Sequence, residues 1–389
     1  MSSELRGGDG PEVEARLDSV VDVRDADALA AACEACRAAG TVVVDTEFER
    51  TDTFYPRVAL VQLATRETVW LVDPLALEDA SALRALLEDV SVLKVLHACS
   101  EDIEVFAHWL QAHPRHVLDT QLGAAFLGQR FGIGYGELVR LELDVEVDKQ
   151  ETRSNWLQRP LTAAQRRYAC LDVIHLDVIQ ARMRARLELV GRLEWVLEET
   201  RAVVEDVLRR AEAVVDWRAL KGAAALGPRA LLAAGHLAAW RERTARALDR
   251  PRNRVARDEH LLGLAEALPE DVEALRGGLL PHGMVKRWGG ELQAAVDAAR
   301  SAPEDELPEP PGPPLSRTHG AIIKRLRGEA RTIAGELGLA EELLARKRLV
   351  ELWFEVDEEV PGPWRGWRWP LLGERLLALL DRPGARPSS

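Results

Sequence analysis

The 389-residue sequence lacks an apolar run of the roughly 20 residues that a membrane-spanning helix needs. Its first residues, MSSELRGGDGPEVEARL, are polar and acidic and contain no apolar segment typical of a secretory signal. We therefore expect a cytoplasmic protein without a membrane partner. With 47% hydrophobic and 30% charged residues, the chain can form two or three domains, each with its own core.

Cysteine is also scarce. Four cysteines are too few for a disulfide scaffold in a chain of this length. Cys33 and Cys36 form a C-x-x-C pair inside the Ala-rich segment DADALAAACEACRAAG, but the sequence has no second pair to complete a four-ligand zinc site. The pattern favours two small residues packed in an amphipathic helix over a metal or redox pair.

Positive charge is deficient overall, and the formal net charge is −13. Residues from Asp216 to Ser389 contain 27 Lys and Arg against 26 Asp and Glu, which leaves 24 against 38 for residues 1–215. The acidic first half argues weakly against a general nucleic-acid binder. If this half approaches a polyanion, its negative charge must be offset, and bound divalent cations are one means.

Strand and helix patterns alternate in the first half of the chain. The segments TVVVDTEF, VALVQLAT and TVWLVD predict strands, and the short polar link Arg66–Glu67 between the last two fits a hairpin. Helical patterns surround them, including one long run that Thr162 can cap. This alternation predicts an α/β domain with a mixed sheet.

Strand signals stop near residue 216, and helical stretches continue on both sides of the Pro-rich acidic segment SAPEDELPEPPGPP. The predicted organisation is a disordered tail (1–18), an α/β domain (19–215), a helical domain (216–302), a Pro-rich acidic linker (303–315) and a second helical domain (316–389).

Two carboxylates stand two residues apart in the segment TVVVDTEFER. Residues i and i+2 of a strand point to the same face, so Asp45 and Glu47 would project together at a strand end, where α/β folds bind ligands. An acidic pair that merely leaves the core for solvent gives the same pattern, so the pair alone is a weak signal.

Three further residues strengthen this signal. Asp102 follows the predicted strand VLKVLHA at the start of a helix that Ser100 can cap, although an acid there also complements the helix dipole. Tyr168 and Asp172 are four residues apart and share one face of a largely apolar helix, where an unpaired carboxylate is costly. Without the acids, Tyr168 would be interpreted as an amphipathic aromatic residue at the edge of the core. Four such carboxylates suit two Mg²⁺ or Mn²⁺ ions, which at about 4 Å separation can clamp a phosphodiester.

The segments VVVDTEFER, VLHACSEDIEVF and YACLDV resemble, in order and spacing, the three exonuclease motifs of the DEDD superfamily. A tyrosine four residues before the last Asp is typical of the DEDDy branch; the DEDDh branch has a His five residues before it, where this chain has Arg167. Longer stretches, such as DTEFERTDTFYPRVALVQLA, are similar to the ribonuclease D family over roughly residues 24–385. The segment RPRNRVARDEHLLGLAEALP resembles the first of its tandem HRDC domains, and residues from about 316 to 385 resemble the second weakly.

This resemblance implies an RNase H-like mixed-sheet exonuclease domain followed by two small all-α HRDC-like domains. It also implies a monomeric, metal-dependent enzyme that removes nucleotides 3′→5′ from tRNA precursors and other structured RNA. Asp45, Glu47 and Asp172 would hold the metal ion that activates water, Asp45 would bridge to the second ion, and Asp102 would reach it directly or through water. Tyr168 would orient the water, because a phenol with a pKa near 10 is a poor base at neutral pH.

Substrate contacts in this domain have simpler alternatives. Phe48 could stack on the terminal base, although an aromatic residue at a sheet end is as often part of the core. His97 is more typical of a hydrogen-bonded structural residue than of a ligand. Lys149 and Arg153 could contact phosphates, but a solvated loop accounts for them equally well.

The first helical domain contains RERTARALDRPRNRVAR, which carries a net charge of +5 and includes Arg252 and Arg254. It predicts either a phosphate-binding patch or a solvated surface, and the two are equally consistent with the sequence. Near the end of the chain, Trp364, Trp367 and Trp369 are predicted to pack within their own domain rather than to stack on bases.

Two other functions fit parts of the pattern. A DEDDy exonuclease acting on DNA 3′ ends is one, but no polymerase or helicase segment accompanies the motifs. A catalytically dead RNA-binding scaffold is the other, and the complete set of four acids with Tyr168 argues against it.

Overall fold

A six-stranded mixed sheet organises the first half of the chain in the structure, a computed structural model that describes residues 11–148, 150–275, 280–310, 317–355 and 360–379. The strand order is β1-β4-β3-β2-β5-β6. β1 runs parallel to β4, β4 antiparallel to β3, and β5 parallel to both β2 and β6. The strands are β1 (Val20–Val23), β2 (Thr41–Glu49), β3 (Arg57–Ala64), β4 (Val69–Val72), β5 (Leu93–Leu96) and β6 (Val117–Asp119).

Helices lie on both faces of the sheet, in agreement with the predicted α/β class. On β2 the side chains alternate: Val42 and Val44 join one buried cluster, which also includes side chains of α2, α3 and α4, and Val43 joins another, which includes side chains of α7. The helices of this half are α1 (Pro11–Asp18), α2 (Ala26–Ala39), α3 (Ser81–Glu88), α4 (Ser100–Trp109), α5 (Thr120–Phe126), α6 (Tyr135–Leu143), α7 (Ala163–Leu189) and α8 (Leu193–Glu212).

The second half of the chain is helical throughout its described part. Its helices are α9 (Pro228–Leu248), α10 (Arg252–Val255), α11 (Asp258–Ala267), α12 (Val272–Leu275), α13 (His282–Ser301), α14 (Arg317–Leu337), α15 (Glu341–Ala345), α16 (Lys347–Glu355) and α17 (Glu374–Leu379). None of the helices that the structure describes has the length and apolar character needed to cross a membrane.

The described residues divide into two compact units. Residues up to 49, from 58 to 209 and from 317 onward belong to the first unit, and residues 50–57 and 210–310 belong to the second. The last helical segment therefore shares a core with the sheet: Trp367 stacks on Trp195 at 5.4 Å between ring centroids, and the buried Arg368 pairs with Glu199 at 2.6 Å. The predicted domain boundaries stay predictions.

Trp364 and Trp367 are buried, in line with the predicted packing role, but Trp367 packs against Trp195 of α8 and therefore not only within its own predicted domain. Trp364 is 1% exposed and Trp367 is 4% exposed. Cys33 and Cys36 are fully buried in α2, as their helical pattern predicted, and burial raises the pKa of both thiols, to about 11 and about 12.

The prediction of disorder up to residue 18 was wrong for its last eight residues, which form α1, whereas residues 1–10 lie outside the described part of the chain. The reason is a tertiary contact. The guanidinium of Arg16 is buried and donates hydrogen bonds to the Thr65 carbonyl and to Asp177, at 2.5 and 3.0 Å. Such an anchor is invisible in a local hydrophobic pattern.

Four local features also differ from the sequence-based expectation. Strands β1 and β6 lie where no strand had been predicted. Ser100 is the first residue of α4 rather than its cap, and Cys99 occupies the cap position without a side-chain hydrogen bond. The long predicted helical run is two helices, because Gly191, whose φ of 68° lies in the left-handed region, follows the end of α7 and separates it from α8.

Candidate metal centre

Strand β2 delivers two of the predicted acids to one place. Asp45 and Glu47 lie on the face of β2 that packs toward α7, and both side chains are half-buried. Asp172 reaches them from α7 and is 8% exposed. One carboxylate oxygen from each of these three residues lies within 4.8 Å of the other two. The predicted strand and helix periodicities thus bring three carboxylates from two elements together.

The start of α7 is fixed by the cap predicted for it. The Thr162 hydroxyl accepts from the Gln165 N–H at 3.1 Å, and the Gln165 side chain accepts from the Thr162 N–H at 3.0 Å, which forms a capping box. Gln165 is 2% exposed and also donates to Ser154 Oγ at 2.8 Å. These contacts hold the first turn of α7, which precedes the turns that carry Tyr168 and Asp172.

The fourth acid approaches from the other face of the sheet. Asp102 lies in the first turn of α4 and is 8% exposed. Its Oδ1 accepts a hydrogen bond from the hydroxyl of Thr46, the residue between Asp45 and Glu47, at 2.5 Å. Asp102 is not part of the three-carboxylate group, but its charge and that of Asp45 act on each other.

The protonation behaviour of the acids reflects burial and mutual repulsion. Burial raises the pKa of Asp45 to about 6. Burial and the charges of Asp45, Asp172 and Asp102 raise the pKa of Glu47 to about 10. The pKa values of Asp102 and Asp172 also lie well above their ordinary range, first because of burial and second because of Asp45.

No ion pair within the described part of the chain neutralises these four acids. Like charges this close cannot all ionise unless a cation joins them. Carboxylate oxygens are the ligands that Mg²⁺ and Mn²⁺ prefer. The donor set therefore fits a divalent cation site.

Tyr168 lies beside the acids on α7. Its hydroxyl hydrogen-bonds to Asp172, which partly opposes the rise in the pKa of that carboxyl. Burial, followed by the negative charge of Asp172, raises the pKa of Tyr168 above its ordinary value. The ring packs against the buried Trp156, with 5.9 Å between centroids. The hydroxyl thus stays protonated at neutral pH and can donate a hydrogen bond.

The residues predicted for substrate contact lie in different surroundings. Phe48 is half-buried against the cluster that includes α4 side chains, on the opposite side of β2 from Glu47. His97 is held structurally: its Nδ1 lies 3.0 Å from Thr120 Oγ1, and its ring meets Tyr135 edge-on. Burial lowers the pKa of His97. Arg153 is exposed, and Lys149 lies outside the described residues.

The two arginines predicted on the helical unit differ from each other. Arg252 forms a two-point ion pair with the buried Glu242, at 2.5 and 2.9 Å, and covers the ring of Phe54 at 4.6 Å. The guanidinium of Arg252 is therefore engaged by Glu242 and Phe54 of its own unit. Arg254 is exposed and forms a long ion pair with the exposed Asp52, at 3.9 Å.

Sequence reasoning missed three residues around the acids. Thr46 donates to Asp102, Tyr135 donates to the backbone carbonyl of Asp172 at 2.7 Å, and Asp119 binds the backbone before α4. The alternation along β2 could have indicated that Thr46 faces α4, and Asp119 has the sequence context of a helix cap. Nothing local in the sequence relates Tyr135 to Asp172.

Known proteins resemble this chain over most of its length. The family described as 3′–5′ exonuclease matches residues 20–188, and the HRDC domain family matches residues 231–296. Ribonuclease D of Pseudomonas paraeruginosa is 39% identical over 92% of this chain and 97% of its own length, and ribonuclease D of Escherichia coli is 36% identical over 91% and 96%.

A solved structure gives the same result in three dimensions. The crystal structure of Escherichia coli RNase D superimposes with a TM-score of 0.86 at 35% identity, and the match covers 93% of this chain and 98% of that one. The resemblance to the ribonuclease D family and the mixed-sheet exonuclease domain followed by an HRDC domain are confirmed, whereas a second HRDC-like domain stays a prediction. The chain therefore belongs to the ribonuclease D family of 3′–5′ exoribonucleases.

Proposed function

We propose that Asp45, Glu47, Asp102 and Asp172 bind two divalent metal ions, Mg²⁺ or Mn²⁺, and that the chain uses them to hydrolyse RNA from its 3′ end to 5′-mononucleotides. The observation that carries this proposal is the group of three carboxylates within 4.8 Å of one another. Burial raises the pKa of all three acids, and charge repulsion adds to the rise in the pKa of Glu47 and of Asp172; a divalent cation would relieve that repulsion.

The side chains have distinct roles in this proposal. Asp45, Glu47 and Asp172 would hold one ion, and Asp45 together with Asp102 on α4 would hold the second. When bound, the ions lower the pKa of a coordinated water and stabilise charge on the phosphodiester oxygens. Tyr168 stays protonated and orients the water through its hydroxyl instead of removing a proton.

The substrate in this proposal is a structured RNA, and in particular a tRNA precursor with a 3′ extension. The solved relative from Escherichia coli is described as an exoribonuclease involved in structured RNA processing, which supports this substrate class. Arg153 and Arg254 are exposed cations that can contact phosphates, whereas Lys149 remains a prediction from sequence. We also propose that the protein acts in the cytoplasm as a monomer.

One assay separates this function from its alternatives. A 3′-labelled structured RNA and a DNA of the same sequence are incubated with Mg²⁺ or Mn²⁺, and then with EDTA. We expect release of mononucleotides from RNA that EDTA stops and that Asp45→Asn abolishes. Cleavage of DNA alone would indicate a DNA exonuclease, and binding of RNA without release would indicate a scaffold.

The substrate proposal needs a separate comparison. A tRNA precursor with a 3′ extension and an unstructured RNA of equal length are digested under identical conditions. We expect the extension to be removed first and digestion to slow at the folded tRNA body. Digestion of both RNAs at one uniform rate would contradict a role in tRNA 3′-end maturation.

A further inference from the structure

The backbone before α4 adopts a conformation that needs outside support. Ala98 has a φ of 56°, in the left-handed region that residues with a Cβ rarely adopt. Cys99, at the cap position of α4, offers no side-chain hydrogen bond to the helix. The first turn of α4, which carries Asp102, thus begins from a strained residue and lacks its own cap.

Asp119 supplies the missing support from a neighbouring strand. Its Oδ1 accepts from the Ala98 N–H at 2.9 Å, and its Oδ2 accepts from the Cys99 N–H at 3.0 Å. Oδ1 also accepts from the Gln121 N–H at 2.8 Å, which caps α5. Asp119 is 3% exposed, so the protein itself satisfies this carboxylate.

The surrounding contacts make this junction rigid. Leu96, the last residue of β5, pairs with Asp119 in the parallel ladder, and the Thr120 hydroxyl donates to the Leu96 carbonyl at 3.0 Å. The Asp119 N–H donates to the buried hydroxyl of Thr200 on α8 at 3.2 Å. The end of β5 and the start of α4 are therefore fixed to β6 and α5.

We infer that Asp119 is a positioning residue for the metal site, because its carboxylate sets where α4 begins and hence where the Asp102 carboxylate lies. This inference rests on the proposed metal site. Asp102 follows Cys99 by three residues within one helical turn, so a shift at Cys99 moves Asp102 with it. The side-chain amide of an Asn at position 119 has only one acceptor oxygen. Its NH₂ group would therefore face either the Ala98 N–H or the Cys99 N–H, and that backbone donor would lose its acceptor.

The test measures Mn²⁺ binding directly, by electron paramagnetic resonance of free Mn²⁺, in the full-length protein without RNA. Groups that support metal ligands typically change metal affinity by about 10–100-fold when they are removed. We expect Asp119→Asn to lower, by about 10-fold or more, the affinity for the Mn²⁺ ion whose binding also depends on Asp102. Asp102→Asn serves as the reference for loss of that ion.

Thr200→Val is the matched control. It removes a buried hydrogen bond to the same residue, and so lowers stability, but it leaves the Asp119 carboxylate in place. We expect it to bind Mn²⁺ like the wild type. A general loss of stability would weaken Mn²⁺ binding in both variants, whereas a positioning role weakens it only in Asp119→Asn.

The outcomes are separable. If the wild type binds no Mn²⁺, the proposed metal site is wrong and this inference falls with it. If the wild type binds Mn²⁺ and folded Asp119→Asn binds it equally well, only the inference is wrong. Should Asp119→Asn fail to fold, Mn²⁺ binding is measured instead in Asp119→Glu, which keeps the charge but displaces it by one methylene. If neither variant folds, Asp119 serves only the stability of the fold and the inference is overturned.

Discussion

The hydroxyl of Thr46 donates a 2.5 Å hydrogen bond to Oδ1 of Asp102 and so joins the strand that carries Asp45 and Glu47 to the helix that carries the fourth acid. Both partners are buried. This bond fixes one of the two Asp102 carboxylate oxygens. A residue that stands between two predicted metal ligands along β2 thus contributes to the position of another on α4.

Thr46→Val tests this bond with little change in shape. Loss of the hydroxyl should raise the Mg²⁺ concentration needed for half-maximal activity by about 10-fold, within the range for residues that support metal ligands. Thr46→Ser, which keeps the hydroxyl, should stay close to the wild type. A Mg²⁺ titration of exonuclease activity makes the comparison, and an unchanged titration curve in Thr46→Val would show that the bond has no role in metal binding.

Asp172→Asn should separate binding from turnover. The amide cannot complete the carboxylate group, so we expect kcat to fall by about 10²–10³-fold, the scale for removing a charge-stabilising group. RNA affinity, measured by fluorescence anisotropy, should survive. Asp144→Asn is the control, because Asp144 is a left-handed residue after α6 where Asn is tolerated. Activity near the wild-type level in Asp172→Asn would rule out the proposed ligand role.

Tyr168→Phe tests whether the phenol orients water or removes a proton. Because the pKa of Tyr168 is raised above its ordinary value, the wild-type pH profile should show no limb from its deprotonation below pH 10. We expect kcat to fall by about 10–100-fold, which is no more than the smallest decrease, about 100-fold, that is typical when a general acid or base is lost. Mn²⁺ affinity should stay the same. A limb between pH 8 and about 9 that disappears in the Phe variant would instead identify a base.

The acids should destabilise the metal-free protein as pH rises. Glu47 has a folded pKa of about 10, above its ordinary value of 4.5, so the folded state binds more protons than the unfolded state between these values. The stability that this proton contributes is complete below pH 4.5 and is lost as pH rises toward 10. Glu47→Gln should therefore melt at a higher temperature than the wild type at pH 8 in EDTA.

The difference in melting temperature between Glu47→Gln and the wild type can be converted to a free energy, and a second pH provides the control. A shift of about 2–4 °C corresponds to 1 kcal/mol in a unit of this size. The two proteins should melt at nearly the same temperature at pH 4, where Glu47 is mostly protonated in both states, and added Mn²⁺ should stabilise only the wild type appreciably. A lower melting temperature for Glu47→Gln at pH 8 would contradict the repulsion described for the metal-free site.

Phe54 should be essential to the second unit. Its side chain is 5% exposed within that unit's core, its N–H donates to Asp249 at 3.0 Å, and the guanidinium groups of Arg246 and Arg252 lie over its ring. Phe54→Ala should cost about 3–5 kcal/mol. Hydrogen exchange should accelerate in α9 and α13, and less so in Phe54→Leu. Unchanged exchange in these helices would show that Phe54 is not part of their core.

Sequence patterns were informative where the relevant geometry is local. The two-residue spacing of Asp45 and Glu47 and the four-residue spacing of Tyr168 and Asp172 each determine a shared face. Their convergence then follows from strand β2 packing against α7. The Thr162 cap was likewise predictable, because a capping box is formed by residues three apart.

Features that depend on distant partners were not predictable in this way. Strand β1 is four residues long and half-exposed, and it is a strand because it pairs with β4. Strand β6 has three residues, and its pairing with β5 distinguishes it from the helix that follows. The support of α4 by Asp119 joins residues about 20 positions apart in sequence, and no local periodicity reports such a contact.

The eight residues after Glu49 belong to the second unit, although the chain before and after them belongs to the first. A cut near residue 210 therefore cannot divide the protein cleanly. An exonuclease fragment made in this way would expose Phe54 immediately beyond the strand that carries Asp45 and Glu47, and the isolated helical fragment would have a hole where that ring packs. Truncation experiments on this protein thus perturb both fragments at once, and point substitutions that keep residues 50–57 in place are the sounder way to assign activity to either part.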